Sequence, residues 1–119
     1  MECRIEELVG TPYQEPFGCF ALVREALHRL GKNVPDYTDG LPESRSLEAL
    51  RDGLARHAEL VETPQRGDVV LLRVLGQPGH IGIMLNRREM LHSMAGVNAC
   101  IERLDSVRWK GRVLEFWRA

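Results

Sequence analysis

The apolar positions of this chain change period once, near residue 64. Before that point Phe20, Val23, Leu27 and Leu30 recur at spacings of three, four and three, which gathers them on one face of a helix. Arg24, Glu25, His28 and Arg29 fall on the polar side, and Gly31 supplies a C-terminal stop. Leu47, Leu50 and Leu54 mark the buried face of a second helix, running from Ser46 to His57. Ser44 or Ser46 could cap it, and Gly53 weakens its middle. Ile5 to Leu8 is expected to form a short helix. Gly10 to Gly18, broken by two prolines and two glycines, reads as a loop, as does Asn33 to Glu43.

After Pro64-Gln-Arg-Gly67 the pattern becomes that of strands. Asp68–Val74, His80–Leu85, Glu89–Met94, Val97–Arg103 and Val113–Trp117 are the expected segments, with turns at Gly76–Gly79 and Asn86–Arg88. In the second of them Ile81, Ile83 and Leu85 alternate against His80, Gly82 and Met84. Helices first and consecutive short strands afterwards predict an α+β domain, its N-terminal helices packed on an antiparallel sheet of about five strands. No repeat, linker or low-complexity stretch divides residues 1–119, so one domain is expected.

Composition narrows the function. The chain has 119 residues, enough for one core without staples. Its net charge is -1, with acids and bases interspersed, so no basic stripe exists to bind nucleic acid. No apolar run approaches the roughly 18 residues of a membrane span. Met1-Glu-Cys-Arg-Ile-Glu-Glu7 carries charges where a signal peptide needs an apolar stretch, so synthesis in the cytoplasm without a signal peptide is expected. The cysteines Cys3, Cys19 and Cys100 are odd in number and lack Cys-x-x-Cys spacing, against a disulfide framework or a structural zinc.

Cys19 is expected just before the first long helix. Most free cysteines are small buried hydrophobes, but three features set this one apart. Gly18 lets a backbone or substrate approach closely. The N–H groups of a first helical turn favour a thiolate. Two later histidines, His80 and His92, can share a sheet face. A hairpin with an odd number of loop residues, centred on residue 86, makes them directly opposite or one diagonal step apart, about 5–8 Å between Cβ atoms; an even-numbered loop separates them. His80 would then take the proton of Cys19, and His92 would fix the tautomer of His80. A metal held by Cys19, His80 and His92 uses the same residues but lacks a nearby carboxylate as general base. Cys3 and Cys100 have no histidine placed to activate them, and His28, His57 and the Arg87-Arg88 pair are assigned no function.

These segments resemble the NlpC/P60 family of papain-like cysteine peptidases, especially its phage-tail and prophage subset. Leu8-Val-Gly-Thr-Pro-Tyr13 resembles the entry loop, Cys19-Phe-Ala-Leu-Val-Arg-Glu25 the nucleophile helix, and Arg66-Gly-Asp-Val-Val-Leu71 the strand before the histidine. Gly79-His-Ile-Gly-Ile-Met84 resembles the histidine strand, and Met90-Leu-His-Ser-Met94 the strand of the third polar residue. The resemblance implies a nucleophile at Cys19, a base at His80 and an orienting group at His92. It implies that Tyr13 can approach the thiolate, and that backbone N–H groups at Gly18–Cys19 receive the oxyanion. It implies cofactor-free cleavage of amide bonds in peptidoglycan stem peptides, with phage tail proteins as partners and a place in the virion. Where the family usually has Asp before the cysteine and Ser-Gly after it, this chain has Gly18 and Phe20-Ala21. Two alternatives follow: a tail or assembly protein that keeps the fold without turnover, and an acyltransferase or amidase acting outside the wall.

Overall fold

A computed structural model describes residues 4–13, 18–32, 47–74 and 79–119. The expected loop at 33–43, the serine caps, Cys3 and most of the Gly76–Gly79 turn lie outside these residues. The short N-terminal helix is a 3-10 turn, Ile5–Leu8. The first long helix, α1, spans Gly18–Arg29. Its apolar face is wider than the spacing predicts, for Leu22 and Ala26 are buried beside Phe20, Val23 and Leu27. Gly31 ends it as expected, with φ +71. The Lys32 N–H reaches back to the Leu27 carbonyl at 3.0 Å, the backward bond that follows a left-handed glycine cap. Helix α2 spans Leu47–His57 and buries Leu50, Gly53 and Leu54. Gly53 therefore lies on the packed face.

Six strands follow: β1 Glu59–Val61, β2 Val69–Leu72, β3 His80–Met84, β4 Glu89–Met94, β5 Val97–Arg103 and β6 Val113–Arg118. They form one antiparallel sheet in the order β1-β6-β2-β3-β4-β5. The pattern predicts five of them. The sixth, β1, has three residues and an exposed edge, too short for alternation to register. The whole is α+β, as expected.

Both faces of the sheet are covered. Val69, Leu71, Ile81, Ile83 and Leu91 pack with α1, α2 and the 3-10 turn. Val70, Leu72, Met84 and Met90 pack on the other face against Trp109, which comes from the β5–β6 connection. Strands buried on both faces read as continuous apolar runs, which is why Val69–Leu72 shows no alternation. Each such fully buried aliphatic side chain stabilises the fold by about 1.5–3 kcal/mol.

Polar ties fix the frame. Asp68 is buried at the start of β2 and takes two hydrogen bonds from the Arg118 guanidinium, each 2.9 Å. Its Oδ2 also accepts the Gln65 N–H at 2.8 Å, closing the turn in which Gly67 adopts φ +93. Arg51 of α2 donates to Glu115 of β6 at 2.8 Å. The Arg66 guanidinium grips both oxygens of Glu6 at 2.8 and 2.7 Å, joining the 3-10 turn to the turn before β2.

Candidate active site

The β3–β4 hairpin sets the two histidines. Its register pairs Ile83 with Leu91 and Met84 with Met90, and Leu85 donates its N–H to the Glu89 carbonyl at 2.9 Å. Three residues, Asn86 to Arg88, make the tip. The loop is odd, as the same-face arrangement requires, but its centre is residue 87 rather than 86. His92 therefore faces Gly82, and His80 lies one diagonal step away. At Gly82 an added Cβ would stand 3.2 Å from the His92 Cβ and from the Leu91 carbonyl. The missing side chain leaves His92 free to lean toward its diagonal partner. Nε2 of His80 and Nδ1 of His92 are 2.9 Å apart, and the rings meet edge to face at 75°. Both histidines are buried, 2% and 1% exposed.

A carboxylate extends the pair. Nε2 of His92 is hydrogen-bonded to Oε2 of Glu102 in β5. The same oxygen accepts Trp109 Nε1–H at 2.9 Å, and the Arg108 guanidinium lies 3.5 Å from Oε1. Trp109 stacks on His80 with centroids 5.8 Å apart and an interplanar angle of 16°. It meets His92 edge-on at 5.1 Å.

These contacts determine where the protons sit. An ionised carboxylate only accepts, so the hydrogen of His92 is on Nε2. Nδ1 of His92 is then bare and must accept Nε2–H of His80. Nδ1 of His80 is left without a proton, as a general base must be. Burial pushes the His92 pKa below 6.5, outweighing the Glu102 contact that raises it, so the ring is neutral at pH 7. Burial pushes the Glu102 carboxyl up, but the bonds from Trp109 and His92, with the Arg108 charge, outweigh it and leave the pKa below 4.5.

The two histidines are thus a coupled pair rather than isolated strand residues. The metal alternative was set aside for want of a carboxylate, and Glu102 supplies one. Neither Glu102 nor Trp109 was expected at the site. Cys100, expected to have no histidine near it, has Sγ 3.8 Å from Nε2 of His92. Its thiol pKa is raised by burial and by the Glu102 charge, so proximity does not activate it.

Cys19 is the second residue of α1, inside the first turn rather than before it, and is 2% exposed. Helix α1 packs on β3 and β4, the strands that carry the histidines. Alternation places His80 and His92 on the Trp109 face, while Ile81, Ile83 and Leu91 face the helix. Gly18 and Ser93 line one cavity of about 330 Å³ with Thr11, Pro12, Ala21 and Leu22. The start of α1 therefore lies at the end of β3–β4 where the histidines stand. The Tyr13 ring covers Gly18 so closely that an added Cβ would come within 2.6 Å of it. Glycine is required there by the tyrosine, whatever stands at that position elsewhere.

A family model described as NlpC/P60 family matches residues 8–118. The crystal structure of an NLP/P60-family protein, similar to lipoprotein, from Staphylococcus aureus subsp. aureus Mu50 has the same fold, with a TM-score of 0.62 at 17% identity. The match covers 96% of this chain and 38% of that one, so this chain spans well under half of its neighbour's length. No curated protein matches this chain. At that identity the structural likeness carries the fold alone. The family match runs from the Leu8–Tyr13 loop through α1 and the strands that carry His80 and His92 to β6, and by it the chain belongs to the NlpC/P60 family.

Proposed function

We propose that this protein is a cysteine hydrolase that cuts amide bonds in peptidoglycan stem peptides, acting from or alongside a phage tail. One observation carries the chemistry: Glu102, His92 and His80 are hydrogen-bonded in series, an order that assigns the unprotonated nitrogen of His80 to Nδ1. In the proposed reaction that nitrogen takes the Cys19 thiol proton, and Sγ attacks the amide carbonyl. The Cys19 backbone N–H receives the oxyanion. His80 returns the proton to the leaving amine as the C–N bond breaks. Water, deprotonated by His80, then hydrolyses the thioester. Tyr13, over Gly18, forms part of the entrance. The wall substrate and the phage setting are supported by the motifs that this chain shares with the family.

Digestion of purified muropeptides, read by mass spectrometry, is the test. Wild-type protein should release product and Cys19→Ala should not. Alkylation of Cys19 should proceed well below pH 8, and His80→Ala should remove that advantage.

A second reading has its own support. Cys19 is 2% exposed and Gly18 is sealed under Tyr13, as in a tail or assembly protein that keeps the fold without turnover. Slow alkylation of Cys19, with no product from any wall chemotype, would establish that reading and end the first.

A further inference from the structure

Cys100 belongs to no step of the proposed reaction, yet it stands beside the residue that steers it. Strand β5 places Cys100 directly across from His92, and Glu102 on the same face two residues on. The Cys100 sulfur, a nitrogen of His92 and an oxygen of Glu102 all lie within 4.8 Å of one another. A thiolate, an imidazole and a carboxylate are a donor set for zinc-like ions, not for calcium or magnesium. Donor atoms about 2.0–2.3 Å from a tetrahedral zinc are about 3.3–3.6 Å from each other. The Cys100–His92 separation of 3.8 Å is already near that edge. The His92–Glu102 contact must open to admit the ion, and the sulfur and carboxylate, within 4.8 Å of each other, must close on it. Thiolate and carboxylate together neutralise a divalent ion. Arg108 opposes it from 3.5 Å, but its side chain is 52% exposed and can turn to solvent.

We infer that His92 Nε2, Cys100 Sγ and Glu102 form a three-ligand site for a divalent ion of the zinc class, and that filling it switches His80 off. The switch follows from the tautomers and rests on the proposed role of His80. A metal needs the lone pair of Nε2, so His92 must lose the proton it gives to Glu102. His80 passes its Nε2 proton along the hydrogen bond to Nδ1 of His92 and takes one on its own Nδ1. The Cys100 thiol loses its proton as the metal–sulfur bond forms. One proton leaves the protein for each ion bound. His80 then presents an N–H, not a lone pair, to the reaction, although the ion touches neither His80 nor Cys19.

Titration of the whole chain with cobalt(II) reads the site directly, since a bound thiolate gives a sulfur-to-cobalt charge-transfer absorption that zinc then displaces. The band should appear in wild type and in Cys19→Ala. It should vanish in Cys100→Ser, and Glu102→Gln should weaken binding by at least the tenfold or so that loss of an outer-shell partner costs. A band that survives Cys100→Ser, or one lost in Cys19→Ala, places the ion on another sulfur and overturns the site, as does no band at all. The coupling is read separately, by mass spectrometry of the alkylated Cys19 peptide. Zinc should slow that alkylation in wild type and leave its rate unchanged in Cys100→Ser. A cobalt band on Cys100 with undiminished Cys19 alkylation overturns the switch. Absence of peptidase product leaves the cobalt result standing, so failure of the proposed function and failure of the metal site are distinguishable.

Discussion

Glu102 is the residue on which the proton arrangement turns. It is a positioning residue: it holds His92, which holds His80. Replacing it with Gln keeps the shape but allows an amide N–H to face Nε2 of His92, which would favour the opposite tautomer. In Glu102→Gln kcat should fall by about 10- to 100-fold, less than the ~10⁴ lost when the third member of a hydrolase triad is itself neutralised. KM should hardly move, and the melting temperature should stay close to that of wild type. A parallel rise in KM, or a large loss of stability, would mean that Glu102 merely supports the fold. The meeting of His80 and His92 could be foreseen from residue type and parity alone. Glu102 could not, because a single glutamate in an alternating strand is most often a solvated one.

The reason lies one level up, in β5. The turn at Ala95-Gly96 pairs Met94 with Val97. A regular ladder from that pair would set Ala99 against His92 and Ile101 against Met90. A bulge intervenes, so that Cys100 meets His92 and Glu102 meets Met90. One extra residue thus decides which half of β5 shares the histidine face. Deleting Asn98, which is exposed, should remove the extra residue and leave a regular ladder that still sets Cys100 against His92 and Glu102 against Met90. Activity should then stay near that of wild type, and a crystal structure should show a regular β5 with the same partners. A loss of activity like that of Glu102→Gln would mean that the strand kept its bulge and turned Glu102 off the histidine face, against the role given to the extra residue. Binary patterning reveals α1, α2 and five strands because each has a repeated face or, like β2, an unbroken apolar run. It is silent on a bulge, which has no period, and on the β5–β6 connection, which reaches the site through Arg108 and Trp109.

Over the whole molecule, charge pairs tie together segments distant in sequence. Glu6 is held by Arg66, 60 residues away. That bidentate bond lowers the Glu6 pKa from 4.5 to about 2. Because the folded value lies below the unfolded one, the pair stabilises the fold above pH 4.5 and loses its effect as pH falls from there toward 2. Glu6 is half exposed, so the contribution is at most about 1 kcal/mol and weakens with salt. Glu6→Gln should therefore melt below wild type at pH 6 and alongside it at pH 2, as followed by calorimetry. Asp68 and Arg118 are a different case, since the carboxylate is fully buried. Asp68→Asn removes the charge that holds the Arg118 guanidinium and should cost about 1–3 kcal/mol, seen as a lower urea midpoint.

Trp109 also gives the molecule a light. The chain has two tryptophans, and only Trp109 lies flat against an imidazole. A protonated imidazole quenches indole emission where a neutral ring does not. In a Trp117→Phe variant the remaining glow would dim as His80 or His92 gains a charge, making the ionisation of the centre visible in a cuvette with no substrate present.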